Sequence, residues 1–318
     1  MRFVSLLIAL AVSAAALAQG YPSHAVKIVV PYAPGGLPDT MARLVGTKLS
    51  EALGQPMVVE NMGGAGGISG VSEVVKSAPD GYTLLVADVG QIAINPHVFS
   101  KLPYAPLKDL APVSLIGNSP LYLAAHPSVR ANSLKEVVAL AKAEPGKLNY
   151  GSSGIGSIHH LATEALKAGF GIDIVHVPYK GTGQSVPALL GGQVALLYSA
   201  LPSIAGQIKE GKVKVLAIST AKRSPQTPDV PTVAESGIPG YDFTAEIGML
   251  APAGTPHEVI SRLAGETAKV VKLPDVVQRF TQLGIEPVGS TPEAYMQQNK
   301  ADYEKYGAIV KATGAKID

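Results

Sequence analysis

The chain has no cysteine and no tryptophan. Without cysteine it can form no disulfide and carry no lipid on an N-terminal cysteine, so its stability must come from packing. Charge is sparse as well: 16% of residues are Asp, Glu, Lys or Arg, against about a quarter in an average soluble domain. The 26 basic and 24 acidic residues nearly balance, which points to neither nucleic acid nor an anionic membrane surface as a partner. No stretch is apolar for long enough to span a bilayer comfortably. The longest, Phe3 to Leu17, is short and runs into Gln19, Gly20 and Pro22. With Arg2 before it and Ala16-Leu17-Ala18 closing it, residues 1–18 are expected to be a cleaved secretory signal peptide, which sends the chain to a bacterial periplasm. The phosphate-loop pattern G-x-x-x-x-G-K-[ST] is missing, and "GGAGGISG" has Ser69 where the third glycine of G-x-G-x-x-G belongs. Nucleotide binding is therefore not expected, and no cofactor is indicated.

What is present is apolar and regularly punctuated. The hydrophobic share is 47%, enough for a large core, and about 300 mature residues exceed what one core usually holds, so two lobes are expected. Strand-like runs recur: "AVKIVV" (25–30), "PMVVE" (56–60), "YTLLVAD" (82–88), "LYLAA", "IVHVPY", "VALLYS" and "VKVLAIS". Their near-continuous apolarity predicts strands covered on both faces, as in parallel sheets. Helical patterns lie between them, such as 40–53, where Met41, Leu44, Val45, Leu49 and Leu53 share a face. The fold class is α/β. Ser133-Leu-Lys-Glu136 and Thr255-Pro-His-Glu258 have the form of capping boxes, and Thr291-Pro292-Glu293 opens the last helix. The first helix is ambiguous: either Asp39 caps it, or Pro38 is its first residue and its N–H groups lie uncapped.

Two stretches read as crossings between lobes, "VSLIGNSP" (113–120) and "AEIGMLAPAGTP" (245–256). The expected division is lobe 1 from 19–119 with 246–318, and lobe 2 from 120–245 inserted into it, a topology suited to a clamshell. Glycine clusters recur at strand-to-helix junctions in both parts: "APGGLPD" and "ENMGGAGGISG" in the first, "NYGSSGIGSIHH" and "PYKGTGQS" in the second. In parallel sheets such junctions gather at the carboxyl ends of the strands, so two facing sets would line a cleft. At the first junction, Gly35 and Gly36 remove side chains where backbone N–H groups meet a helix start, a candidate anion site.

Ser152, Ser153 and Ser157 suit hydroxyl donors and helix caps. A hydrolase would need a G-x-S-x-G elbow and a placed base and acid, and the sequence shows neither. His159 and His160 are adjacent on a helical pattern, about 100° apart, and so cannot chelate a metal as an i, i+4 pair does. His160 with Glu164 is more simply a helix surface pair. Tyr179 and Lys180 end a strand before a glycine turn, where an aromatic face and a donor can reach the cleft.

The segments "YPSHAVKIVVPYAPGGLPDTMAR", "VVENMGGAGGISG", "NPHVFSKLPYAPLKDLAPVSLIG", "LNYGSSGIGSIHHLATEAL", "VHVPYKGTGQSVPALLGGQVALLYSALPSI", "STAKRSPQTPDVPTVAESGIPGY" and "GMLAPAGTP" together resemble the Bug family of periplasmic solute receptors, which is associated with tripartite tricarboxylate transporters. The resemblance runs in order through nearly the whole mature chain. It implies a two-lobed, type II-like periplasmic binding protein with a mainly parallel sheet flanked by helices in each lobe. Such a receptor closes on a small carboxylate and presents it to membrane permease subunits. It also implies a non-enzymatic chain, expected to act as a monomer.

Carried onto this sequence, the resemblance assigns Tyr32, Gly35, Gly36 and Asp39, with Ala65 and Gly66, to the ligand in the first lobe. Asp39 would orient the loop rather than touch the anion. In the second lobe it assigns Ser152, Ser153, Ser157, His160, Tyr179, Gly181 and Thr182. Gln91, near the turn before Asn95-Pro96, is placed facing the cleft. No catalytic or metal-ligating residue is expected. The sequence departs from the family pattern at Glu246, where many relatives have tryptophan, and at Tyr198-Ser199-Ala200, where many have an acidic and amide pair. The alternatives are an exported hydrolase with Ser153 or Ser157 as nucleophile, and a receptor that feeds a membrane sensor.

Overall fold

The computed structural model describes residues 20–315, so the expected signal peptide at 1–18 lies outside the described residues. No described helix is long and apolar enough to cross a membrane. The chain builds two sheets. The first has the order β11-β4-β10-β3-β1-β2, from β1 (Val26–Val30), β2 (Met57–Asn61), β3 (Thr83–Asp88), β4 (Leu110–Pro120), β10 (Thr244–Pro252) and β11 (Glu286–Pro287). The second has the order β7-β6-β8-β5-β9, from β5 (Tyr122–Ala125), β6 (Asn149–Ser152), β7 (Val175–Pro178), β8 (Leu196–Ser199) and β9 (Lys214–Ile218).

Both sheets are mixed, which corrects the expectation of mainly parallel ones. β1 is parallel to β2 and β3, and β6 is parallel to β7 and β8. The strands leading into and out of the crossings run the other way: β10 is antiparallel to β3 and β4, and β5 is antiparallel to β8 and β9. Apolarity alone misses this, because a strand covered on both faces is apolar in either direction.

The helices of eight residues or more are α1 (Leu37–Leu53), α2 (Ile68–Val75), α3 (Leu134–Ala143), α4 (Ile158–Phe170), α5 (Thr182–Leu190), α6 (Leu201–Lys209), α7 (His257–Val270), α8 (Pro274–Gln282) and α9 (Pro292–Thr313). α1 buries Met41, Val45, Leu49 and Leu53 in the same core as Ile28 and Leu84 of the first sheet. Gly36 stands at its N-cap with no side-chain cap, Pro38 follows in the first turn, and left-handed Gly54 ends it. Ser133 caps α3 by accepting the Glu136 N–H, but the Glu136 carboxylate reaches back to Asn132 N–H, so the box is displaced by one residue. The box expected at Thr255 does not form. Thr255 donates its hydroxyl to the Pro252 carbonyl instead, and Pro256 takes the N-cap of α7.

The chain crosses between the sheets at Leu121 and again before Thr244. β4 and β10 pair from Leu110↔Pro252 to Pro120↔Thr244 and carry both crossings side by side. The fully buried Ser219 ties them together: its Oγ accepts the Leu121 N–H and donates to the Phe243 carbonyl, while backbone bonds join Ser219 to both residues. The two crossings are thus short and tied together at neighbouring points on paired strands.

Candidate functional site

The loop between β1 and α1 is held from behind. Asp39, 4% exposed, accepts Gly35 N–H at 2.9 Å, Arg43 Nε–H at 2.9 Å and Asn61 Nδ2–H at 3.0 Å. Burial pushes its carboxyl up, but those donors outweigh burial and hold it below the usual range. With Gly35 at φ +88°, the loop turns so that Gly36 and the start of α1 face the second sheet. The Tyr32 hydroxyl donates to Asp88 at 2.9 Å and accepts Gln91 Nε2–H at 2.9 Å.

The second sheet offers three helix starts. Ser157 caps α4 by accepting His160 N–H at 3.2 Å, and donates its hydroxyl to the Gly154 carbonyl at 2.7 Å. α5 starts after Gly181 and α6 after Ala200, and neither has a side-chain cap. The lobes meet through the backbone. Ala33 N–H donates to the Lys180 carbonyl at 2.9 Å, and the Ser203 hydroxyl donates to the Gly35 carbonyl at 3.3 Å.

Between the lobes lies a narrow cavity. Tyr32, Gly36, Leu37, Pro38, Asp88 and Ala245 line it from the first sheet's side, and Ser153, His159, Thr182 and Ala200 from the second. Its water-accessible volume is about 10 Å³, room for about one water molecule. Among the described residues, no lysine or arginine lines it. Burial pushes the Asp88 carboxyl up to about 6, offset in part by the Gly90 N–H and Tyr32 hydroxyl bonds, and pushes His159 down to about 4. At neutral pH His159 is therefore an uncharged imidazole.

Of the residues expected at the ligand, Tyr32, Gly36, Ser153 and Thr182 line this cavity. Gly35 and Asp39 form the loop's support, and Gly181 packs on Ala33 across the cleft. Ala65, Gly66 and Tyr179 line a different groove between the lobes, of about 340 Å³, with Gly154, Ile155 and Lys180.

Four residues expected to touch solute are instead turned into their own lobes. Gln91 is fully buried and spends its amide on Tyr32 and the Gly66 carbonyl. Ser152 bonds His176 Nε2 at 2.6 Å, and Ser157 is spent as a cap. His160 accepts Gly156 N–H and stacks on His176 with centroids 4.4 Å apart. It is buried, and the half-buried Glu164 is held by Tyr150 and Lys167, so the expected surface pair between His160 and Glu164 does not form.

The cavity residues that sequence reasoning missed include Asp88 and His159. The one signal for Asp88 was an acid closing an otherwise apolar strand, just before a glycine turn. For His159 the signal was its place one residue nearer the helix start than His160. The nucleophile geometry of a hydrolase does not assemble: Ser157 is a cap, and the Ser153 hydroxyl has no histidine hydrogen-bonded to it among the described residues. No group of three metal-ligating side chains occurs among the described residues.

The sequence profile of the tripartite tricarboxylate transporter family receptor matches residues 41–315. Protein BugT of Bordetella pertussis is 36% identical over 307 residues, covering 96% of this chain and 94% of BugT. A Rhodopseudomonas palustris protein solved with adipate superposes with a TM-score of 0.90 at 34% identity, over 92% of this chain and 98% of that one. MatC of the same organism, solved with malate, gives 0.88 at 34% identity, over 91% and 100%.

Proposed function

The chain belongs to the tripartite tricarboxylate transporter receptor family, and from that membership we propose that it is a periplasmic receptor for a small carboxylate-bearing solute. In this reading the lobes, 19–119 with 246–318 and 120–245, turn about the Leu121 and Phe243 crossings and close on the solute. A monomer in that closed form is what the membrane permease meets. Solute contacts to both lobes shift the population toward closure.

One observation carries this reading. α1, α5 and α6 all start at the same cavity, none has a side-chain cap, and among the described residues no lysine or arginine competes for the space. Each start leaves N–H groups that no intrahelical carbonyl can take and places the positive end of a helix dipole there. One helix start is worth about 0.3–1 kcal/mol to an exposed anion, more when buried, and three acting on one carboxylate add up. The cavity holds neutral donors only, so it suits a carboxylate better than a phosphate dianion. That adipate and malate occupy the two R. palustris proteins supports the same class.

The test is calorimetry on the exported chain with acetate, adipate, malate and citrate, with scattering before and after saturation. Saturable binding of at least one acid, with a smaller radius of gyration when bound, is expected. Folded protein that binds none of them and no amino-bearing acid would refute the assignment.

A further inference from the structure

One buried charge in the cavity has no role in holding a carboxylate. Asp88, at the end of β3, is 2% exposed. Its Oδ1 accepts Gly90 N–H at 2.7 Å and the Tyr32 hydroxyl at 2.9 Å, while its Oδ2 has only the other branch of that hydroxyl's bond, at 3.1 Å. Since Tyr32 has one proton to give, Oδ2 is short of a donor. The groups facing Asp88 are Tyr32 from the loop after β1, Gly90 and Gln91 from the turn after β3, Tyr295 and Tyr306 from α9, and His159 of α4 in the same cavity. None is cationic at neutral pH. Buried carboxylates are normally paired or coordinated, and this one has no cationic partner among the described residues.

A second polar group in the cavity is also unmet. His159 is 7% exposed, and its buried Nδ1 has no hydrogen-bond partner among the described residues. As a neutral imidazole it offers one acceptor nitrogen. The cavity therefore combines an anion-holding part, made by helix starts, with two side chains able to accept hydrogen bonds. A second solute carboxylate would bring like charge against Asp88 in a space that closure dries. An ammonium group would supply both the missing counter-charge and three N–H donors.

We propose that Asp88 and His159 make this cavity selective for a solute that carries an ammonium group beside its carboxylate, an α-amino acid. The inference rests on the carboxylate-receptor reading above. The solute carboxylate lies at the starts of α1, α5 and α6, its ammonium donates to Asp88 Oδ2, and a further N–H is available to His159.

Matched pairs test it: calorimetry at pH 7.5 with succinate and aspartate, adipate and 2-aminoadipate, 3-phenylpropionate and phenylalanine, on the parent chain, Asp88→Asn and His159→Leu. In at least one pair the ammonium-bearing member should bind about tenfold tighter or more, in line with a charge-assisted bond. Asp88→Asn should cut that preference at least about threefold, because the charge is gone but an acceptor remains. His159→Leu should cut it too, and serves as the independent variant if Asp88→Asn melts early. Plain acids binding as tightly as their amino partners, or a preference indifferent to both substitutions, would overturn the amino-acid inference and leave the carboxylate reading standing. If neither member of any pair binds, the amino-acid inference fails, and the carboxylate reading falls with it when acetate, malate and citrate do not bind either.

Discussion

Gly183 separates the closed state from the stability of the lobe that carries it. It lies in the first turn of α5, where it has no left-handed φ, so alanine is tolerated by the backbone and favours the helix. A Cβ on Gly183 would nevertheless overlap the Pro34 carbonyl oxygen across the cleft. Carbon and carbonyl oxygen come to rest at about 3.3 Å, so relieving the overlap means parting the two loops by more than about 1 Å. That carries the Ala33 N–H to Lys180 bond, 2.9 Å in the closed form, to about 4 Å, beyond hydrogen-bonding distance. Overpacking of this size costs about 1–3 kcal/mol, and all of it falls on the closed state. Gly183→Ala should therefore weaken solute binding about 5- to 150-fold while leaving the melting temperature of the solute-free protein unchanged or slightly raised. Gly265→Ala in α7, where a Cβ meets nothing within 4 Å, is the matched control and should leave affinity alone. Calorimetry with differential scanning measurements on both variants decides it. Parental affinity in Gly183→Ala would mean that binding does not require these loops to meet, and the closure argument would fall.

Gly36→Val sets a Cβ 2.7 Å from Thr182 Oγ1 across the same seam, so it should lower affinity about tenfold or more in calorimetry with little change in folding. Ser219→Ala removes both side-chain ties at the crossings from a fully buried position and should cost about 1–3 kcal/mol in denaturant unfolding. Glu246, on β10, is pushed up to about 8 by burial and by the neighbouring Asp302, and Gln298 bridges the two carboxyls. The folded state then keeps a proton that the unfolded chain releases near pH 4.5. Stability is fully present below that pH and is lost as pH rises toward about 8. Glu246→Gln should flatten that decline and raise the melting temperature at pH 8 relative to the parent; a parent melting temperature that does not fall from pH 5 to pH 8 would contradict it.

The elements that sequence periodicity marked are those whose burial is one-sided or whose ends are punctuated. The face of α1 at Met41, Val45, Leu49 and Leu53 follows from a 3.6-residue period, and its start at Leu37 resolves the ambiguity between Asp39 and Pro38 in favour of neither. Strand direction was not legible, because β10 and β3 are equally apolar and only pairing tells which way each runs. The site was legible as loops and opaque as side chains. His160 and His159 differ by about 100° of helix rotation, and nothing local says which ring faces the cleft and which stacks on His176. Asp88 was hidden for a different reason. A buried acid at a strand end has no spacing signature, and its significance depends on the absence of a cation, which only the fold displays.

The glycines at the junctions admit a more specific account than a cradle for an anion. A Cβ on Gly63 would meet Ala33 N at 2.8 Å and Lys180 O at 2.9 Å, one on Gly36 would meet Thr182, and one on Gly183 would meet Pro34. In each case the obstruction is, wholly or in part, an atom of the opposite lobe. A loop evolved only to wrap a ligand would need open backbone toward the cavity, whereas these positions need it toward atoms of the other lobe, main chain at Gly63 and Gly183 and the Thr182 hydroxyl at Gly36. In the proposed receptor the lobes close by apposing backbones, which brings the starts of α1, α5 and α6 to one point, and the proposed anion site is a consequence of that approach. Affinity and closure are then one equilibrium, and side chains that widen the seam act on both together.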